Sequence, residues 1–164
     1  MREINVSEVT AVVSKLCKDS CYYLPEELLA KLKASVDTEE SPLGKEILTT
    51  IVENAELAKR KDVPICQDTG LTVVFMDIGQ DVHFVGGNVM DAVNEGVRRG
   101  YVDGFLRKSV VKDPIIRENT KDNTPAILHY EIVPGDKVKI TVAPKGFGSE
   151  NKSRVFMLTP ADGI

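Results

Sequence analysis

Cys66, Gln67, Asp68 and Thr69 place a soft sulfur ligand, an amide, a carboxyl and a hydroxyl at four consecutive positions between Pro64 and Gly70. Proline fixes the backbone ahead of the tetrad and glycine frees it behind, so these side chains sit in a shaped turn. A thiolate can hold a metal and a carboxyl can move a proton, which makes the turn a candidate reaction centre. Polar turns are also common connectors, and a lone cysteine is most often an inert small hydrophobe, so the tetrad needs partners from elsewhere in the chain. Arg107 is a candidate carboxylate clamp, because a guanidinium meets a carboxylate in a two-pronged fork. The segment Lys145 to Asn151 has Gly146, Gly148 and Ser149, and backbone N–H groups in such a turn can converge on carboxylate or phosphate oxygens. It lacks the Lys-Ser/Thr pair of a nucleotide phosphate loop. His83 and His129 could each serve Cys66 as the base of a nucleophile pair if the fold brought them within reach. Cys17 and Cys21 could touch one metal, but they lie on the apolar side of a helix with no other soft ligand near, which favours core packing.

The chain has 164 residues, a length that fits one domain, residues 1–164, and buries about 70% of its unfolded surface. Apolar residues at 42%, charged residues at 28% and a net charge of −4 describe an ordinary globule, with no reason to expect nucleic acid as a partner. No apolar run reaches the ~18 residues of a membrane span. Glu3, Glu8, Lys15 and Lys18 stand where a signal peptide would be greasy. Three cysteines are an odd number, which suits a reducing compartment better than a disulfide framework, so a cytoplasmic location is expected.

Residues 1–62 read as helical and 63–164 as strand-rich. Asn5 and Glu8 form a capping-box pattern ahead of a helix to about residue 22. Pro25-Glu26-Glu27 opens a second helix with Leu28, Leu29, Leu32 and Val36 on its apolar side. Ser41-Pro42 opens a third, whose face is Leu43, Ile47, Ile51, Ala55 and Ala58, ending at Lys59-Arg60-Lys61 where cations suit the helix dipole. Leu71 to Ile78 is apolar on both alternating faces, as in a central strand covered on both sides. Val82 to Val85 is expected as its neighbour. Asn88 caps a further helix, around 88–100, and Gly96 on its apolar face implies close approach to the sheet. Residues 117–126 read as a loop. Ile127 to Val133 and Lys137 to Ala143 read as a hairpin, with Ile132 opposite Val138, Tyr130 opposite Ile140, Leu128 opposite Val142 and Glu131 opposite Lys139. The expected class is α+β, an N-terminal helical layer packed on a mixed or antiparallel sheet.

Taken in order, Ile65-Cys66-Gln67-Asp68-Thr69-Gly70, the block from Gly100 to Pro114, Asn123-Thr124-Pro125-Ala126, His129 to Asp136 and Lys145 to Asn151 resemble one family. From about residue 40 onward the chain resembles the N-terminal part of the iron–sulfur class I fumarases and the related tartrate dehydratase alpha subunits. The resemblance implies a hydro-lyase that interconverts fumarate and malate at a four-iron four-sulfur (4Fe-4S) cluster. Three cysteine thiolates hold such a cluster and leave one iron open as a Lewis acid. Carried over, it makes Cys66 one metal ligand, Gln67 and Asp68 substrate contacts, Asp68 a proton-transfer group, Arg107 a carboxylate clamp and Gly148 a backbone N–H donor to a substrate oxygen. It also implies a beta subunit or C-terminal swivelling domain as partner; oligomerisation is expected because the apolar surface that the absent portion normally covers would be left open. The family's other two cluster cysteines come later than Pro160-Ala161-Asp162-Gly163. The chain is therefore expected to be a truncated alpha subunit, inactive alone. Three alternatives stay open: tartrate as the substrate, a non-catalytic scaffold or assembly domain, and a cysteine nucleophile enzyme.

Overall fold

The structure, a computed structural model, describes residues 1–148 and 153–163; Ser149, in the glycine-rich turn, lies outside them together with Glu150, Asn151, Lys152 and Ile164. Strand β1 (Arg2–Asn5) leads directly into helix α1 (Val6–Tyr22). The Asn5 side chain accepts from the Ser7 N–H at 2.9 Å, so the expected cap is present, bonded to Ser7 and not to Glu8. Helices α2 (Glu26–Thr38) and α3 (Pro42–Lys61) follow, with Ser41 capping α3 through the Gly44 N–H at 3.2 Å. Then come β2 (Leu71–Gly79), β3 (Val82–Val85), α4 (Val89–Asp103), β4 (Ile127–Val133) and β5 (Val138–Lys145).

The α+β expectation holds, and the sheet is mixed. Its order is β4-β2-β5, with β2 parallel to β4 and antiparallel to β5. The expected hairpin is therefore absent, because β2 lies between its two arms. The rungs are nevertheless those expected, each with one β2 residue inserted: Val74 between Leu128 and Val142, Met76 between Tyr130 and Ile140, Asp77 between Glu131 and Lys139, Ile78 between Ile132 and Val138. The link 134–137 crosses the end of β2, spanning two strand spacings of roughly 4.8 Å each. Three backbone bonds hold it there, from Gly79 N to Lys137 O, Gln80 N to Val133 O and Asp81 N to Gly135 O. Strand β3 does not join this sheet; it pairs in parallel with β1, which satisfies one edge of each short strand.

Helices α1 and α4 make the layer over the sheet. Val9, Val13 and Cys17 of α1, Val93, Val97 and Tyr101 of α4, and Val74 and Met76 of β2 form one buried cluster. Helix α2 packs on α3 with no residue of its own buried, and α3 buries Val52, Ala55 and Ala58 while Leu43, Ile47 and Ile51 of its expected face stay exposed. The other face of β2 is also less covered than its composition implies, for Phe75 is 45% exposed and stacks on His129 at 5.3 Å.

Gly96 makes its close approach to α1, not to the sheet. A Cβ there would lie 2.7 Å from the Val13 Cβ and 2.8 Å from the Thr10 carbonyl oxygen. Alanine would gain about 1 kcal/mol of helix propensity, but overpacking typically costs about 1–3 kcal/mol, and the backbone oxygen cannot rotate away. Gly96→Ala is expected to lower the urea midpoint with an unchanged slope; an unchanged or higher midpoint would contradict this packing.

Candidate active site

The chain reaches the Cys66 turn from the αL cap of α3 at Asp62. Asp62 is bonded to Lys18 at 2.9 Å and to the Tyr23 hydroxyl at 2.6 Å, and these bonds hold its carboxyl below the ordinary range. Two further bonds fix the approach: the Ile65 N–H donates to Cys21 O at 2.9 Å, and Asn54 Nδ2 donates to Ile65 O at 2.9 Å. At the far side Gly70 has φ +64° and a Cβ there would meet the Lys145 carbonyl at 2.2 Å, so the turn requires glycine twice over.

Behind the turn lies a buried polar knot. The Tyr101 hydroxyl donates to Thr69 O at 2.7 Å, and Asn123 Nδ2 donates to Gly70 O at 3.1 Å. Asn123 Oδ1 accepts from Ser109 N at 2.9 Å and Val110 N at 3.1 Å, so one carboxamide ties the Cys66 turn to the segment carrying Arg107. The Thr69 hydroxyl adds a bond to Arg107 O at 3.0 Å. Asn123 is fully buried, and burial pushes the Tyr101 phenol well above its usual range, so it stays a donor.

On this base the expected side chains converge. Cys66, Gln67 and Arg107 line one open cleft with Pro64, Ile65 and Phe105. Arg107 Nη1 donates to Gln67 Oε1 at 3.0 Å, and the guanidinium has no salt bridge among the described residues. The Cys66 thiol is exposed, with its sulfur accepting from Asp68 N at 3.4 Å. Asp68 Oδ1 accepts from Gly70 N at 3.2 Å, and Oδ2 accepts from Phe147 N at 3.1 Å and Gly148 N at 3.4 Å. The Gly148 N–H expected at a substrate oxygen thus holds the Asp68 carboxylate here. Tyr101, Asn123 and Phe105, which has φ +50° and lines the cleft, were given no site role by the sequence reading, although Asn123 opens one of the segments that carry the resemblance and Tyr101 and Phe105 lie within another.

Neither imidazole reaches the cleft. His83 sits on β3 beside Glu3 of β1, and His129 stacks on Phe75 on the outer sheet face. A cysteine–histidine nucleophile pair is therefore not formed. As a metal ligand Cys66 fits, being an exposed sulfur in the cleft that Gln67 and Arg107 also line. Cys17 and Cys21 do not, since burial pushes their thiols up to about 12 and about 11. Among the described residues no group of three or more His, Cys, Asp or Glu side chains could hold a metal ion.

Two outcomes follow from this arrangement. Because raised pKa values keep Cys17 and Cys21 as thiols through pH 9, iodoacetamide at pH 8 should label the native chain at Cys66 alone and the urea-unfolded chain at all three; early labelling of Cys17 would contradict the assigned core. Asn123→Ala leaves two N–H groups and a carbonyl without their partner, at about 1–3 kcal/mol per buried group left unpaired. Faster hydrogen exchange at Ser109 and Val110 together with faster Cys66 labelling is expected, and unchanged labelling would show that the knot does not position the turn.

The family profile described as "Fumarate hydratase (Fumerase)" matches residues 10–164, so the likeness extends ahead of residue 40 and includes most of α1. A protein of Methanocaldococcus jannaschii provisionally named L(+)-tartrate dehydratase subunit alpha is 35% identical over 96% of this chain and 57% of its own length. The anaerobic class I fumarate hydratase of Escherichia coli is 33% identical over 76% of this chain and 23% of its own length. An Escherichia coli L(+)-tartrate dehydratase subunit alpha is 29% identical over 96% of this chain and 53% of its own length. The chain spans little more than half the length of the alpha subunits it matches, and about a quarter of the fumarate hydratase. It belongs to the fumarate hydratase (Fumerase) family.

Proposed function

We propose that this chain supplies one half of a hydro-lyase site that hydrates fumarate to malate and reverses the reaction. The observation that carries the reading is the meeting of Cys66, the Gln67–Arg107 pair and the Asp68–Gly148 pair, from segments up to 80 positions apart, around one turn. Cys66 would be one of three thiolates holding a four-iron cluster, the others lying outside these 164 residues, so the chain alone would be inactive. When bound, the cluster supplies a Lewis acid for the departing hydroxyl.

The chain's own residues have definable tasks in this reading. Arg107, with one nitrogen on Gln67, keeps the rest of its guanidinium for a substrate carboxylate. Gln67 sets the direction of that fork. Asp68 uses three of its roughly four acceptor sites on backbone N–H groups, which fix its plane and leave one for a substrate hydroxyl. Proton transfer at that oxygen is its proposed role. Gly148, by holding Asp68, would act on substrate through the carboxylate, and would donate to a substrate oxygen only if that bond is exchanged. A beta subunit or C-terminal domain would complete the site in a cytoplasmic oligomer. No helix among the described residues is long and apolar enough to cross a membrane.

Tartrate dehydration to oxaloacetate is a second reading, favoured by the names of the alpha-subunit relatives. Malate and tartrate both carry two carboxylates and a hydroxyl, so this half-site would engage either. Assays of the complete, anaerobically reconstituted enzyme with fumarate, malate and tartrate separate the two. Arg107→Ala should raise KM for the preferred dicarboxylate about tenfold to a hundredfold, the loss of roughly 1.5–3 kcal/mol of charge-assisted bonding. Full turnover by Cys66→Ser and Asp68→Asn variants would support a scaffold role and end the hydro-lyase reading.

A further inference from the structure

Asn54 sits inside helix α3, beside the buried stripe of Val52, Ala55 and Ala58 and itself exposed. Asparagine is a poorer helix former than alanine, because its carboxamide competes for backbone groups. Here the carboxamide leaves its own helix, and Nδ2 donates to Ile65 O at 2.9 Å. The Ile65 N–H is bonded as well, to Cys21 O of α1 at 2.9 Å. Both polar groups of the residue before Cys66 are therefore engaged, each by a different helix.

We propose that Asn54 is a positioning residue for Cys66, setting the peptide plane that presents the sulfur. Ile65 O and Cys66 N belong to one rigid plane. Among the described residues the Cys66 N–H makes no hydrogen bond, and Ile65 O accepts from Asn54 alone. One bond thus fixes the rotation of that plane about the Ile65 Cα–C and Cys66 N–Cα bonds on either side of it. The bond from Asp68 N to the sulfur, at 3.4 Å, lies on the far side of Cys66 and leaves this plane free.

The buried knot acts at the other end of the turn. Tyr101 and Asn123 meet Thr69 O and Gly70 O, and the segment carrying Arg107 is tied through Thr69, Ser109 and Val110. Two carboxamides therefore divide the work: Asn54 holds the entry, next to the sulfur, and Asn123 holds the exit and the guanidinium segment. Loss of the Asn54 bond loosens the sulfur and leaves the Arg107 segment in place. Its consequence for iron retention rests on the hydro-lyase reading; the order of the peptide plane does not.

Asn54→Asp and Asn54→Ala test the assignment. Aspartate keeps the shape, loses the donor and sets a carboxylate oxygen against Ile65 O. Alanine removes the bond but is the better helix former, so a looser Cys66 in that variant does not come from a weakened α3. In backbone relaxation measured by nuclear magnetic resonance on the chain, Ile65 and Cys66 are expected at order parameters of about 0.85 in the parent and below about 0.6 in both variants, with Ser109 and Val110 at parent values. Exchange of the Ile65 N–H should quicken about twofold to tenfold, the loss of one hydrogen bond. In the complete, anaerobically reconstituted enzyme, iron should pass to a chelator about tenfold faster in both variants, while KM for the dicarboxylate stays within about twofold of the parent. An unchanged order parameter at Cys66 in Asn54→Asp would overturn the proposal, and so would loosening in Asn54→Ala alone, the sign of a packing role. Loosening that spreads to Ser109 and Val110 would overturn the division between entry and exit, and unchanged iron release from a loosened Cys66 would overturn the link to iron retention. A parent enzyme that takes up no iron ends the hydro-lyase reading, while the relaxation result still decides whether Asn54 orders Cys66.

Discussion

The carboxamide of Asn123 is the constraint on which the site depends. It joins Gly70, where the Cys66 turn ends, to Ser109 and Val110, just beyond Arg107, in a place that water does not reach. Buried polar groups of this kind contribute little net stability when satisfied and cost much when broken, so their main effect is to permit one arrangement and penalise the rest. The Tyr101 hydroxyl on Thr69 O does the same from helix α4. Sulfur and guanidinium therefore lie on surface loops while the bonds that aim them lie in the interior. A mobile pair of loops could not hold the Cys66 sulfur and the Arg107 guanidinium at fixed separation.

Asp68 adds a second tie, from the Cys66 turn to the segment after β5. Gly146 permits it, since a Cβ there would come within 3.1 Å of Asp68 Oδ2. The same carboxylate that could exchange a proton with substrate thus also docks the 146–148 turn. Movement of that turn and availability of the Asp68 oxygens are linked in this arrangement, because the N–H groups of Phe147 and Gly148 share one acceptor.

Much of this was legible in the order of residues, and the failures have physical causes. Helix limits followed from caps and periodicity, so α1, α3 and α4 appear where Asn5, Ser41 and Asn88 place them. Cys66, Gln67, Asp68 and Arg107 were recognisable as a group through the family resemblance; Pro64 and Gly70 alone mark a shaped turn without saying that Arg107 meets it. The β4–β5 hairpin was a reasonable reading of Pro134-Gly135-Asp136, and its rungs survive, yet local turn chemistry carries no information about a third strand inserted between two neighbours. Val74 and Met76 of the inserted strand are both buried and stand in register between Leu128 and Val142 and between Tyr130 and Ile140. The β1–β3 pair escaped because four residues before a helix cap carry no periodicity to read. The tying roles of Asn123 and Tyr101 escaped for a different reason: both lie in segments that carry the resemblance, but what a buried amide and a buried phenol bond to is not legible until the segments they tie are known to be adjacent.

The account stands on Cys66 as a ligand presented by this knot. Its most direct test is differential alkylation of the complete, anaerobically reconstituted enzyme, read by mass spectrometry at Cys66 before and after the iron is stripped with an oxidant and chelator. The account predicts that Cys66 is shielded while iron is bound and becomes the fastest-labelled of this chain's thiols once it is gone. Equal labelling of Cys66 in the iron-loaded and iron-free enzyme would contradict it.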